Sequence, residues 1–107
     1  MSEDKWDLAF TKAAIKDIAG LKEPRKSHVY KALQKVRQNP LPRGEGGYGE
    51  PLGHHNSGNL TGLLKIKLRS DGIRVVYRLE RADRRMVVVI VGIRDDEAVY
   101  REAAKRL

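Results

Sequence analysis

Five cations recur at alternate positions over a short stretch of the chain. Leu64, Ile66 and Leu68 alternate with Lys65, Lys67 and Arg69. After Ser70-Asp71-Gly72, Ile73, Val75, Tyr77 and Leu79 alternate with Arg74, Val76 and Arg78. A period of two marks a pair of half-buried strands, and Asp-Gly suits the centre of a tight hairpin turn. With Asp71-Gly72 as a two-residue loop, Ser70 faces Ile73, Arg69 faces Arg74, Lys67 faces Val76 and Lys65 faces Arg78. Every apolar residue named then shares one face except Val76, and a one-residue slip would push lysines into the core. The opposite face gathers Lys65, Lys67, Arg69, Arg74 and Arg78 with no acid on that face within either strand. Like charges set across a sheet destabilise it by roughly 0.2–1 kcal/mol per pair. One or two lysines could simply guard a strand edge, whereas five cations in register are better explained by a bound anion.

Two residues downstream extend that chemistry. Arg94 follows a long apolar run, at the point where side chains leave the core for the rim of a sheet. Tyr100 stands six residues later. Alone, Arg94 reads as a surface partner of Asp95 or Asp96, and Tyr100 as an anchor for a helix. Other chemistries lack their residues. Gly44-Glu45-Gly46-Gly47-Tyr48-Gly49 has no Gly-Lys-Ser/Thr to complete a phosphate loop. His54 and His55 are adjacent, a poor spacing for ligating one metal, and no cysteine is present, so no metal site is expected. No serine or cysteine nucleophile has an evident histidine partner.

The elements that must hold these residues can be read from the periods. Trp6, Leu8 and Phe10 alternate as a short strand. Ala14, Ile15, Ile18 and Leu21 recur at helical spacing. Glu23-Pro24 opens a second helix with the stripe Val29, Ala32, Leu33 and Val36, which Asn39-Pro40 stops. Residues 40–62 carry three prolines and seven glycines without an apolar period, so a long, mobile connection is expected. Beyond the hairpin and a polar turn at 81–85, Met86 to Val91 is a continuous apolar run suited to a buried strand. Asp95 or Asp96 caps a last short helix, with Tyr100, Ala103, Ala104 and Leu107 on one side. The expected order is β-α-α-β-β-β-α. This is an α+β fold, one antiparallel sheet with the helices on one side of it: an N-terminal strand and a helical hairpin packed on the sheet, and a short C-terminal helix.

The chain has 107 residues, a length that supports one modest core and hence a single domain, 1–107. No apolar run reaches the roughly 18 residues that cross a bilayer. The charged start, Met1 to Lys5, has no apolar stretch behind it, so neither a secretory leader nor a membrane partner is expected. Without cysteine there is no disulfide, and a cytoplasmic location follows as the default. The net charge of +8 draws polyanions, whether nucleic acid, an anionic membrane surface or an acidic protein.

The string from Leu64 to Tyr77 closely resembles the central hairpin of the RelE toxins. Val91-Gly92-Ile93-Arg94, with Tyr100 six residues on, resembles that family's C-terminal signature, and the tail from Tyr100 to Leu107 fits as well. Pro51-Leu52-Gly53 and Leu60-Thr61-Gly62-Leu63 resemble its approach to the hairpin. The likeness is specific over about 60–107 and weaker over the N-terminal helices and the loop. It implies a RelE-like fold and a toxin that cuts mRNA in the ribosomal decoding site. Lys65, Lys67, Arg74, Arg94 and Tyr100 match the residues that do so, with Arg69 and Arg78 as further RNA contacts. Ile93 departs from a position that is often basic, which bears on rate or codon preference.

Such a reaction needs no cofactor and no metal, because RNA supplies its own nucleophile. The 2′-hydroxyl attacks the adjacent phosphorus and expels the 5′-oxygen of the next nucleotide. The protein must orient the bond, remove a proton and stabilise charge on the phosphate oxygens. Arg74 and Arg94 offer forked donors. The general base is Tyr100, favoured as phenolate by nearby cations, or a lysine with Tyr100 stacked on a base. The resemblance further implies a cognate acidic antitoxin whose helix covers the toxin or displaces its C-terminal helix, contact with the ribosome and mRNA, and contact with operator DNA only through the toxin–antitoxin complex. Two other readings stay open. One is a ParE-like toxin of the same fold, which poisons DNA gyrase. The other is a basic RNA- or ribosome-binding module without catalysis.

Overall fold

Thr11 joins the first strand to the first helix. Its Oγ1 accepts the Ala14 N–H at 3.1 Å, satisfying one of the donors that every helix start leaves open. The computed structural model describes residues 5–55, 58–93 and 96–106. Along them run β1 (Asp7–Phe10), α1 (Lys12–Ala19), α2 (Arg25–Val36), β2 (Glu50–His55), β3 (Gly58–Leu68), β4 (Ile73–Glu80), β5 (Arg85–Ile93) and α3 (Asp96–Lys105). The strands form one sheet in the order β1-β5-β4-β3-β2. The expected α+β class is what the chain adopts.

Four details differ from the sequence reading. First, the sheet is mixed: β1 runs parallel to β5 while the other pairings are antiparallel. Alternation reveals a strand but not its direction, and the connection from β1 passes through both helices. Second, part of the supposed loop 40–62 is sheet, since β2 and the first half of β3 pair there. Pro51 and a register shift between Pro51 and Gly53 hid β2, and both are tolerated because β2 is an edge strand.

Third, the central hairpin is shifted by two residues. Leu68 faces Ile73, Lys67 faces Arg74, Lys65 faces Val76 and Leu63 faces Arg78. Arg69 to Asp71 form a short 3-10 turn closed by Gly72 at φ 67°, so the turn is longer than Asp71-Gly72. A shift of two keeps every side chain on its predicted face, which is why the pattern could not expose it.

Fourth, the helices do not lie on one side. Leu64, Ile73, Val75, Tyr77, Met86, Val88 and Val91 pack against Ala14, Ile18, Leu21, Val29, Leu33 and Val36 of the α1–α2 side. A second cluster joins Leu60, Leu63, Val76, Val89 and Ile90 to Val99, Tyr100 and Ala103 of α3. Val76, the misfit on the basic face, belongs to this second core. Gly92 makes the approach of α3 possible, because a Cβ there would sit 2.4 Å from the Val99 Cγ2.

The register between β4 and β5 slips between Val76 and Tyr77. Val76 faces Ile90 and Tyr77 faces Val88, leaving Val89 as the extra residue. The bulge turns both Val89 and Ile90 toward α3. Pairing with β1 ends at Phe10↔Val88, and side chains take over the edge beyond it. The Val91 N–H donates to Asp17 Oδ2 at 3.0 Å, and Arg106 Nη1 donates to the Val89 carbonyl at 2.8 Å. Arg106 Nη1 also donates to Asp17 Oδ2 at 2.8 Å. The end of α3 is thus tied to α1 around the sheet edge.

Candidate functional site

Strand β3 carries Lys65 and Lys67 toward the α3 side, and β4 sets Arg74 directly opposite Lys67. The other neighbour of Arg74 is Gly92 on β5. Helix α3, lying over Gly92, brings in Tyr100. Lys65 Nζ donates a 2.7 Å hydrogen bond to the Tyr100 hydroxyl oxygen. The same nitrogen is 5.0 Å from the ring centroid. With the nitrogen bonded to the hydroxyl, that separation places it off the ring's edge, so the contact is a hydrogen bond more than a cation–π pair. Lys65, Lys67, Arg74 and Tyr100 therefore meet on one side of the sheet.

Tyr100 is 2% exposed and packed in the second core, so its ring is closed off by its neighbours. Lys65, Lys67 and Arg74 are half-buried. The accessible part of the pair is the ammonium, with the phenol behind it. An anion approaching this face meets Lys65, Lys67 and Arg74 first.

The other predicted residues fall elsewhere. Arg94 follows β5 directly and lies outside the described residues, as does its suggested pairing with Asp95 or Asp96. Arg69 stands in the 3-10 turn, exposed, and not on the strand face. Arg78 is four residues along β4 from Arg74, about 13 Å in extended chain. It donates to Glu80 Oε2 at 3.2 Å, and Arg85 donates to Glu80 Oε1 at 2.7 Å. The expectation of a face without an acid thus fails at Glu80, the last residue of β4. The Arg85 hydrogen bond, and secondarily that of Arg78, hold the Glu80 carboxyl below its ordinary range. Arg78 belongs to this surface ion cluster and not to the Lys65–Arg74 group.

Residues missed in the sequence complete the surroundings. A groove of about 350 Å³ runs along β3 beside α2, and Lys65, Lys67 and Arg69 line it together with Lys35, Arg43 and Tyr48. Asp17 and Arg106 hold α3. Of these, only Asp17 left a trace, as an acid set beside the apolar stripe of α1. Among the described residues no group of three His, Asp or Glu is placed to hold a metal ion, and no helix is long and apolar enough to cross a membrane.

No family model matches the sequence. The mRNA interferase toxin RelE of Escherichia coli strain K12 is 32% identical over 102 residues, which cover 94% of this chain and 95% of that protein. A mutant E. coli RelE toxin solved in the free state is 28% identical, with a TM-score of 0.74 over 96% of this chain and 98% of that one. A chain of the intact E. coli RelBE toxin–antitoxin complex is 27% identical, with a TM-score of 0.63 over 84% of this chain and 98% of that one. A curated relative matching over more than nine-tenths of both chains at this identity, with a solved relative on the same sheet and helices, shows that this chain belongs to the RelE toxin family.

Proposed function

We propose that this protein is the toxin of a toxin–antitoxin pair and an endoribonuclease that cuts mRNA held in the ribosome. The observation that carries the proposal is the 2.7 Å contact between Lys65 Nζ and the Tyr100 hydroxyl, beside the row formed by Lys67 and Arg74. Three cations and a phenol suit one scissile phosphate, and a relative bears the name mRNA interferase. The partner is an acidic antitoxin, in keeping with the toxin–antitoxin complex among the solved relatives. Ribosome and mRNA are the substrate assembly, operator DNA is reached only through the antitoxin complex, and the site of action is the cytoplasm.

The 2′-hydroxyl of the RNA attacks its own phosphorus as the bond to the next nucleotide's 5′-oxygen breaks. The products are a cyclic or 3′-phosphate end and a 5′-hydroxyl end. Lys67 and Arg74 neutralise charge growing on the phosphate oxygens, and Arg94 shares that task, because guanidinium does not give up its proton readily. The burial of Tyr100 argues against its stacking on a base. It favours Lys65 as the group that takes the 2′-hydroxyl proton, acting as the neutral amine and passing a proton on to the departing 5′-oxygen, with the Tyr100 oxygen fixing where Nζ points. Lacking a strong acid and base, the free protein cuts poorly and relies on the ribosome for alignment.

Ribosomes programmed with one transcript, incubated with the purified toxin and mapped by primer extension, test the proposal. Discrete cuts that disappear in Arg74→Ala are expected. Tyr100→Phe, which removes the oxygen that positions Lys65, should cut at a rate lowered by up to about 10²-fold while binding ribosomes nearly as well. Intact transcripts accompanied by broken DNA would instead mark a gyrase poison. Binding to ribosomes without any cut would mark a non-catalytic module.

A further inference from the structure

We infer that the groove between α2, the 39–49 loop and the outer edge of β3 is a second single-stranded RNA subsite, in which Tyr48 stacks on one base while Arg43, Lys35 and Arg69 hold the neighbouring phosphates. This inference rests on the ribonuclease reading for its choice of polymer, and on the groove's own construction for everything else. Pairing of β2 with β3 begins at Glu50↔Lys65, so along Ile66–Leu68 no strand covers the outer edge among the described residues. The groove occupies that position. Lys65 and Lys67 line it as well as belonging to the candidate cleavage face, so a strand bound at one place runs directly into the other. Five of the lining side chains are cationic and Glu50 is the one carboxylate among them.

The loop that brings Tyr48 and Arg43 here is firmly built. The Tyr48 N–H donates to the Asn39 carbonyl at 3.0 Å, Gly49 N–H to Leu41 at 3.0 Å and Arg43 N–H to Gly49 at 2.8 Å. Asn39 Nδ2 donates to the Gly46 carbonyl at 3.2 Å. Arg81 grips Glu45 through both carboxylate oxygens, at 3.0 and 2.9 Å. Beneath the loop, the buried Tyr77 hydroxyl donates to the Pro40 carbonyl at 2.7 Å. Gly49 has no side chain to spare, since a Cβ there would meet that hydroxyl at 2.3 Å. From this frame a tyrosine emerges 43% exposed, with Lys35 Nζ 5.4 Å from its ring centroid.

A rigid loop displaying a half-exposed ring among cations is the composition of a stacking platform for a nucleic-acid strand. An acidic peptide would be served by the cations alone and leaves the aromatic ring unexplained. Aromatic stacking is sequence-tolerant, so the subsite would lengthen the grip on mRNA without reading codons.

Fluorescence anisotropy of a labelled nine-nucleotide RNA, 2′-O-methylated throughout so that it cannot be cut, measures the subsite apart from cleavage. Tyr48→Ala should weaken binding by roughly five- to 150-fold, the range for one missing base stack, and Tyr48→Trp should restore it. Arg43→Ala should flatten the dependence of log affinity on log salt by about 0.7 for each phosphate it no longer neutralises. Each variant's thermal midpoint confirms that the loop still folds. Equal binding by wild type and Tyr48→Ala overturns the inference, as does a wild type that fails to bind at low salt. Loss of affinity for an oligoglutamate peptide with unchanged RNA binding overturns it in favour of a protein partner. Tyr48-dependent binding together with uncut mRNA on the ribosome would uphold the subsite and reject only the ribonuclease reading.

Discussion

Removing the Asp17 carboxylate should loosen α3 and with it the site. Asp17 sits on α1, yet its oxygens serve the far side of the sheet. Oδ2 accepts the Val91 N–H at 3.0 Å and Arg106 Nη1 at 2.8 Å, and Oδ1 takes Arg106 Nη2 at 3.3 Å. The pair is about one-fifth exposed on each side, 20% for Asp17 and 19% for Arg106, so water screens it only in part. A charged hydrogen bond contributes about 1.5–3 kcal/mol, and an orphaned backbone donor costs about 1–3 kcal/mol. These terms overlap, because Arg106 keeps Val89 and Glu102 as partners. Asp17→Ala should therefore cost about 2–4 kcal/mol. Asp17→Asn, which retains an acceptor for Val91, should cost roughly half that. At about 4–6 °C per kcal/mol for a domain of this size, the alanine variant should melt about 8–24 °C lower by circular dichroism. A double-mutant cycle with Arg106→Ala should show coupling of about 1–3 kcal/mol. Additive effects, or an alanine variant within about 0.5 kcal/mol of wild type, the usual range of an indifferent surface change, would refute the clasp.

Two further outcomes follow from the loop that bears Tyr48. Tyr77→Phe removes the hydroxyl that satisfies Pro40, so it should destabilise the protein by about 1–3 kcal/mol and open 41–49 to limited proteolysis; an unchanged digestion pattern would show the loop holds itself. The Arg81 hydrogen bond keeps the Glu45 carboxyl below its ordinary 4.5, so between the folded-state value and 4.5 the unfolded chain binds more protons and stability rises with pH. The difference in melting temperature between wild type and Glu45→Gln should be full above that range and shrink as pH falls through the folded-state value; a difference constant from pH 7 to pH 3 would contradict the pairing.

Much of the fold was legible because burial imposes a period. Leu64, Ile66, Leu68, Ile73, Val75 and Tyr77 face the α1–α2 side as their alternation required. The length of the turn was not, because shifts of two residues preserve parity. The turn as formed carries Asp71 to His28 on α2, at 2.8 Å, a contact 43 residues apart that no local pattern contains. Strand β2 was invisible for a related reason: an edge strand need not alternate. The second core was announced by Val76, an apolar residue on a basic face, but only the return of α3 gives that residue a partner. Of the site, Lys65, Lys67, Arg74 and Tyr100 are brought together, while Arg78 turns to Glu80, Arg69 sits in the turn and Arg94 is not described. By the same alternation Glu80 shares the face of Arg78; what the pattern left open is that β4 runs on as far as Glu80.

The two sheet edges beside the basic face are treated in opposite ways, and the contrast bears on function. Past Val88 the edge of β5 is sealed, its Val89 carbonyl and Val91 N–H taken by Thr11, Asp17 and Arg106. Past Lys65 the outer edge of β3 has no strand partner in the described sheet and is flanked by cations. An open edge is a hazard, since it templates pairing with another chain, and charge is a usual guard against that. Guarding needs charge alone, and a lysine or two suffices. It does not call for a tyrosine held up by a hydrogen-bonded loop, nor for continuity with Lys67 and its opposite, Arg74. An edge kept open, basic and aromatic is what a flexible polyanion with stackable bases would select, so the protection against strand pairing and the attraction for RNA come from the same side chains. If so, lowering the edge charge through Lys35→Gln and Arg43→Gln should weaken RNA binding and raise the tendency to aggregate together. A variant that loses one property and keeps the other would separate the two roles.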